Sequence, residues 1–131
     1  MILLDTHVLI WWVSGVQPLS ARARRVLNEA LQAGPLRASA ISVLEITTAV
    51  RRGRLVLGVP IERWLEDLLA LPDVRFEPVS VDIARLAGSF GDTVHGDPAD
   101  RIIIATAQIL QLRLVTADAR LRGSRSVPTI W

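Results

Sequence analysis

The sequence predicts an α/β sandwich with a mainly parallel central sheet. Short apolar runs that suit buried strands alternate with segments of helical periodicity along the whole chain. This alternation is typical of folds in which helices connect parallel strands. The chain has 131 residues, half of them hydrophobic and about a fifth charged. We therefore expect one globular domain that spans residues 1–131, large enough to bury a core.

The first half of the chain contains two predicted strands and four predicted helices. Ser20 is the predicted cap of the second helix, and Ser42 with Glu45 matches a capping box at the start of the third. Segment 54–60 is short, apolar and ambiguous. The predicted strands are Ile2–Leu4 and Leu36–Ile41, and the predicted helices run from Thr6 to a break at Gly15, over Ala21–Ala33, from Ser42 through Arg51, and over Ile61–Leu71.

The second half contains two further helices and three further strands. Asp97 can cap a helix that has Pro98 at its first position and Asp100 in its first turn. Pro78 suggests that its strand lies at an edge of the sheet or ends there. The predicted strands are Val74–Val79, Arg113–Thr116 and a marginal Pro128–Trp131, and the predicted helices are Val81–Phe90, capped by Ser80, and Pro98 to about Gln111.

The residue types that are absent exclude several kinds of chemistry. The chain has no Cys, no Lys, no Tyr and only two His. This composition excludes disulfides, thiol nucleophiles, Walker A loops and Schiff-base lysines, and argues against a histidine-rich zinc site. The net charge is +2, and all the lysine and arginine positions that contribute to it are Arg. Arginine suits phosphate binding, but this charge does not require a phosphate partner.

The chain shows no sign of a membrane or export segment. No apolar run approaches the ~18 residues of a membrane span. The stretch Met1–Asp5 has no basic region and places an acid among apolar residues, unlike a signal peptide. We therefore expect a cytoplasmic protein without a membrane partner.

Four acids occupy equivalent places in the predicted fold. They follow strands or begin helices, so they should meet beyond the carboxyl ends of the strands, where sites form in open α/β sheets. Each one also fits an ordinary structural role as a helix cap or turn residue. The four acids are Asp5, Glu45, Asp100 and Asp118.

Carboxylates brought together in this way need protons or a cation. Two charges ~4 Å apart repel by about 4 kcal/mol at an effective dielectric constant near 20. Since no Lys is available, a divalent metal is the simplest counter-charge, and ligands that are all oxygen favour Mg²⁺ or Mn²⁺. Such a site suits phosphodiester hydrolysis, in which a metal activates water and stabilises charge on the phosphate.

The motifs around these acids resemble the PIN-domain family. Their order and spacing look most like the VapC toxins of type II toxin–antitoxin systems, over essentially the whole chain. The motifs are Leu3-Leu4-Asp5-Thr6-His7, Ser42-Val43-Leu44-Glu45-Ile46, Gly53-Arg54-Leu55, Asp97-Pro98-Ala99-Asp100-Arg101 with Ile104-Ala105-Thr106-Ala107, and Leu114-Val115-Thr116-Ala117-Asp118.

The resemblance implies a three-layer α/β/α fold and Mg²⁺- or Mn²⁺-dependent endoribonuclease activity. By position, Asp5 and Asp100 would be direct metal ligands, and Glu45 and Asp118 would complete the catalytic quartet or hold metal-bound water. Thr116 would support the site by hydrogen bonding. Asp97 is interpreted as a helix cap only.

The resemblance also implies partners. It implies a homodimer and a cognate VapB-like antitoxin whose tail covers a groove. We place that groove around Ile46–Leu69, where Val56, Leu57 and Trp64 are apolar, although Trp64 also suits the core. Arginines near the acids could hold RNA phosphates or could be solvated surface. They are Arg51, Arg52, Arg54, Arg120 and Arg122.

Other functions remain open at this stage. A catalytically silent module that binds RNA or an antitoxin would have the same fold, and so would a DNA nuclease, since no residue identifiably reads the 2′-hydroxyl. Phosphoacceptor domains and aspartate phosphatases would need a lysine at the site, which this chain lacks.

Overall fold

A computed structural model describes residues 1–15, 18–92, 94, 96–123 and 125–131. Within these residues the chain forms five strands and seven helices. The strands are β1 Ile2–Leu4, β2 Leu36–Ser39, β3 Val74–Glu77, β4 Arg113–Val115 and β5 Thr129–Ile130. The helices are α1 Thr6–Ser14, α2 Ala21–Ala33, α3 Ile41–Arg51, α4 Ile61–Ala70, α5 Val81–Ser89, α6 Pro98–Leu110 and α7 Ala119–Arg122.

The strands form one sheet in the order β3-β2-β1-β4-β5, and every pair is parallel. The central strand β1 aligns Leu3 with Arg37 of β2 on one side and with Leu114 of β4 on the other. The predicted parallel sheet is therefore confirmed. The third strand, β3, lies at an edge of the sheet, and Pro78 directly follows its last residue. Both observations agree with the prediction that the proline marks an edge or a strand end.

Helices cover both faces of the sheet and produce three layers. Ile2 and Leu4 of β1 point to one face, where they share a core cluster with Val8 of α1 and Leu27 of α2. Leu3 points to the other face. There it belongs to a cluster with four residues from α6 and β4, namely Ile103, Ile104, Ala107 and Leu114. The apolar stripe of α6 is thus one wall of the second core layer.

The predicted element bounds agree closely with the structure, with one wrong helix start. Helix α2 runs over the predicted residues, and the hydroxyl of Ser20 accepts a hydrogen bond from the backbone N–H of Ala23 at 3.0 Å. Helix α3, however, begins at Ile41, and no capping box forms at Ser42. Ser39 instead accepts a hydrogen bond from the N–H of Ile41, so Ser42 lies inside the helix and its side chain is buried.

One helix was not predicted. Asp118 caps the four-residue helix α7, which is too short to show periodicity in the sequence. The described helices include none long and apolar enough to cross a bilayer.

Loss of the Ser20 cap should destabilise the fold without touching the acidic edge of the sheet. We expect Ser20→Ala to lower the free energy of unfolding by about 1 kcal/mol, because one N–H of α2 loses its acceptor. Ser20→Asp should retain most of the stability, because aspartate caps as well as serine. Urea unfolding of the three proteins tests this, and equal midpoints would show that the cap contributes nothing.

Candidate active site

The site begins at Asp5, which is buried at the carboxyl end of β1. Its Oδ1 accepts a hydrogen bond from the N–H of Thr6 at 2.8 Å, and its Oδ2 accepts one from the hydroxyl of Thr116 at 2.7 Å. Burial raises the pKa of Asp5, and the bonds from Thr116 and Thr6 oppose that rise because they stabilise the carboxylate. Thr116 therefore holds one oxygen of the Asp5 carboxylate, and its supporting role in a metal site stays a prediction.

A short hydrogen-bonded chain holds Glu45. The hydroxyl of Thr6 donates to Oε1 of Glu45, and its oxygen lies 2.8 Å from the hydroxyl of Ser42. Because Thr6 has one hydroxyl proton and gives it to Glu45, Ser42 must donate to Thr6. Burial, followed by the negative charges of Asp5 and Asp97, raises the pKa of Glu45 against the effect of the Thr6 bond.

The start of α6 contributes two acids to the site. Asp97 caps the helix, since its Oδ1 accepts the backbone N–H of Asp100 at 2.9 Å. Carboxylate oxygens of Glu45, Asp97 and Asp100 lie within 4.8 Å of one another. Burial, then the charges of Asp97, Asp5 and Glu45, raise the pKa of Asp100 to about 6. Asp100 is thus the acid whose charge these neighbours oppose most directly.

Asp118 lies on the rim of the site and is paired with the guanidinium of Arg120. Its Oδ1 and Oδ2 accept hydrogen bonds from Nε and Nη2 of Arg120 at 3.2 and 2.9 Å. The bond from Arg120 lowers the pKa of Asp118. The same Nη2 is 3.9 Å from Oδ2 of Asp100, so Arg120 links the rim to the carboxylate cluster.

The structure therefore brings the four predicted acids to one edge of the sheet and adds residues that the sequence analysis did not assign to the site. Asp97 is a cap, as expected, and its carboxylate also joins the cluster. Thr6 and Ser42 hold Glu45, which begins the second turn of α3 and takes no part in a capping box. The signal for Asp97 was its position three residues before Asp100, which places both at one helix start.

Glycine at position 96 makes room for Asp100. Gly96 has a φ of +113°, and a Cβ at this position would lie 2.5 Å from Oδ2 of Asp100. Both the backbone conformation and the space therefore favour glycine. The neighbouring His95 lies outside the described residues.

A groove of about 620 Å³ leads away from the acids. Its lining comes from α1, α3, the segment after α3 and the start of α6; it includes Glu45, Asp97, Trp11, Ile10, Leu44 and Leu55. The predicted position along segment 46–69 is therefore wrong in part. Val56, Leu57 and Trp64 are not in the lining, and Trp64 packs against the core because the apolar stripe of α4 faces inward.

The predicted arginines divide by position. Arg52 and Arg54 line the groove, and Arg120 contacts the acids. Arg51 and Arg122 are exposed and lie outside the groove lining. Arg101 turns away from the site and donates to the carbonyl oxygens of Phe90 and Gly91, at 2.6 and 3.1 Å.

The donor set of this site fits a hard divalent cation. Every candidate ligand is a carboxylate oxygen, which Mg²⁺ and Mn²⁺ prefer over nitrogen or sulfur. Burial and, after it, the negative charges of neighbouring acids raise the pKa values of Glu45 and Asp100. A cation there would relieve the repulsion that burial intensifies.

Comparison with known proteins identifies relatives of this chain in sequence and in fold. The sequence model of the PIN domain matches residues 2–123. Ribonuclease VapC22 of Mycobacterium tuberculosis is 36% identical over 132 residues, which cover 99% of this chain and 98% of that protein. FitAcB from Neisseria gonorrhoeae has a crystal structure that is 27% identical, with a TM-score of 0.71, and the match covers 100% of this chain and 97% of that one.

A more distant structure shows the same fold. VapBC2 from Rickettsia felis, crystallised with a DNA fragment from its promoter, is 14% identical and has a TM-score of 0.75. The match covers 100% of this chain and 99% of that one. The α/β/α architecture is therefore retained where little sequence identity remains.

Substitution of Gly96 should disturb Asp100. We expect Gly96→Ala to lower the free energy of unfolding by roughly 1–3 kcal/mol, because a methyl group would meet the Asp100 carboxylate and the backbone would be strained. Gly91→Ala is the matched control, since a Cβ there has no atom within 4 Å. Urea unfolding measures both, and equal losses would show that position 96 has no special constraint.

The raised pKa of Asp100 predicts a pH-dependent loss of stability in the metal-free protein. Its pKa is 3.8 ordinarily and about 6 when folded, so the folded state binds a proton that the unfolded chain has released. Ionisation of Asp100 should therefore cost up to about 3 kcal/mol, a cost that develops as the pH rises from 4 to 6.

The variant Asp100→Asn isolates this effect because it has no charge to lose. We expect it to be more stable than the parent at pH 7 in EDTA, and the difference should vanish below pH 4. Urea unfolding across this pH range measures the difference, and a constant difference would contradict the assignment.

Proposed function

We propose a function for this chain from one premise: it belongs to the PIN domain family. The chain acts as a Mg²⁺- or Mn²⁺-dependent endoribonuclease that hydrolyses RNA phosphodiester bonds, and it is the toxin of a type II toxin–antitoxin pair. The observation that carries this proposal is the carboxylate cluster, in which Glu45, Asp97 and Asp100 converge beside buried Asp5. The name of the VapC22 relative as a ribonuclease supports RNA as the substrate.

In this proposal Asp5, Glu45, Asp97 and Asp100 hold the cation. Each oxygen of Asp5 accepts one hydrogen bond from the protein and keeps a second lone pair for a further contact. When bound, the cation would supply an activated water and charge stabilisation on the phosphate. Asp118 remains at the rim with Arg120, and Thr116 orients Asp5 from behind.

The residues of the chain itself prepare the site for this chemistry. Thr6 and Thr116 fix the carboxylates of Glu45 and Asp5 before any substrate arrives, so little reorganisation is needed. The groove gives an RNA strand a path away from the acids, with Arg52 and Arg54 on its wall for phosphates. Half-buried Trp11 lines the same groove.

The groove also suits an antitoxin. Its walls are mostly apolar and one end is acidic, so a segment with apolar side chains and a basic residue would complement it. We propose that a cognate VapB-like antitoxin covers this groove and thereby blocks access of RNA. We further propose a homodimer in which each chain is a single PIN domain over residues 1–131.

The nuclease activity can be tested with purified protein on matched RNA and DNA in Mg²⁺, Mn²⁺ or EDTA. We expect cleavage of RNA that requires a metal, and Asp5→Asn and Asp100→Asn should each lower the rate by about 100-fold or more, because a charge at the reacting centre is lost. Asp92→Asn, which removes an exposed acid from the loop before α6, should cleave at the parental rate.

Three outcomes would contradict parts of this proposal. Full activity in both site variants would show that the acids are misassigned. Cleavage of DNA with RNA left intact would indicate a DNA nuclease of the same fold. Failure to cleave any RNA, together with no binding of Mn²⁺ in calorimetry, would favour a silent binding module.

A further inference from the structure

We propose that Arg120 binds a phosphate group of the RNA and that Asp118 is its positioning residue, acting through the guanidinium and not as a ligand of the divalent cation. This inference rests on the proposed nuclease function and assigns to one acid of the quartet a task different from that of the others. It follows from how the oxygen atoms of Asp118 are used.

Both carboxylate oxygens of Asp118 accept hydrogen bonds from Arg120. Nε donates to Oδ1 at 3.2 Å and Nη2 donates to Oδ2 at 2.9 Å, which is a two-point contact along one edge of the planar guanidinium. Oδ1 also accepts the backbone N–H of Arg120 at 2.9 Å. Among the described residues, Glu45, Asp97 and Asp100 converge closely enough to share a cation. Asp5 and Asp118 both lie outside this set, and of these two only Asp118 is paired with a guanidinium.

The anchored guanidinium has an edge left for a ligand. Arginine has five N–H donors, and the Asp118 side chain takes one from Nε and one from Nη2, so both donors of Nη1 and the second donor of Nη2 remain. The side chain is 64% exposed, and its Nη2 lies 3.9 Å from Oδ2 of Asp100. A phosphate oxygen that approached the cluster from solvent would therefore meet this edge. Two-point contacts of this kind suit the planar guanidinium better than they would suit lysine.

The charge of the site favours a cation at this position. Asp5, Glu45, Asp97 and Asp100 together carry more negative charge than one divalent ion can neutralise when all are ionised, and a phosphodiester adds another. Arg101 is bonded to carbonyl oxygens, and among the described contacts no ion pair joins Arg52 or Arg54 to the acids. Among the described residues, Arg120 is the arginine that makes ion-pair contacts with Asp100 and Asp118.

Two binding measurements separate the roles of these residues. Fluorescence anisotropy with a labelled single-stranded RNA of random sequence, in EDTA to prevent cleavage, reports phosphate binding. Calorimetric titration with Mn²⁺ alone reports metal binding. Arg113→Gln is the matched control. It removes the same charge at the amino end of β4, which is the end of that strand away from the acids.

We expect Arg120→Gln to weaken RNA binding by about tenfold relative to Arg113→Gln and to reduce the slope of log K against log salt by about one. In an Asp118→Asn background the same substitution should cost less than about threefold, because the guanidinium has already lost its anchor. Arg120→Lys should restore the salt slope but only part of the affinity, since the charge returns without the two-point contact.

The Mn²⁺ titration decides the role of Asp118. Asp118→Asn should keep the Mn²⁺ affinity within about threefold of the parent, whereas Asp100→Asn should lower it by more than about tenfold. An equal loss in both variants would show that Asp118 is a metal ligand, and RNA binding by Arg120→Gln equal to that of Arg113→Gln would remove Arg120 from the phosphate site. Absence of Mn²⁺ binding in the parent would contradict the proposed nuclease but would leave the RNA comparison to judge Arg120.

Discussion

Repulsion among carboxylates governs the architecture of this site. The chain offsets this repulsion with hydrogen bonds whose donors differ from one acid to the next. Asp5 receives hydrogen bonds from Thr6 and Thr116, and Glu45 receives one from Thr6. Asp97 accepts an N–H at the positive end of α6. Asp100 accepts no side-chain hydrogen bond among the described contacts, and burial together with the charges of Asp97, Asp5 and Glu45 raises its pKa to about 6.

The sheet topology explains why these acids meet. The order β3-β2-β1-β4-β5 places β1 beside β4. From β1 the chain first adds β2 and β3 on one side, and it then adds β4 and β5 on the other side, so the direction of strand addition reverses between β1 and β4. Sites in open α/β sheets form beyond the carboxyl ends of strands at such a reversal. Asp5 follows β1 and Thr116 follows β4, so the first hydrogen bond of the site crosses this point.

Local patterns in the sequence predicted the elements well and their tertiary contacts less well. Helix α2 could be placed because cap, periodicity and terminating glycine all agree, whereas the serine and glutamate of α3 match a capping box that Ser39 makes unnecessary. The acids at the strand ends could be predicted from topology alone. The groove could not, since it depends on how α1 and α3 meet α6, and the apolar residues of α4 face the core.

The bond between Thr116 and Asp5 has a consequence for the order of events in synthesis and folding. It joins residues 111 positions apart, and β1 finds its central place only when β4 lies beside it. To form a contact of such long range, the chain must first close a long loop. The entropy lost in closing the loop precedes the stabilisation that the contact gives, and folding is slower as a result. A nascent chain that still lacks β4 therefore cannot complete the bond that holds Asp5 in this acidic site.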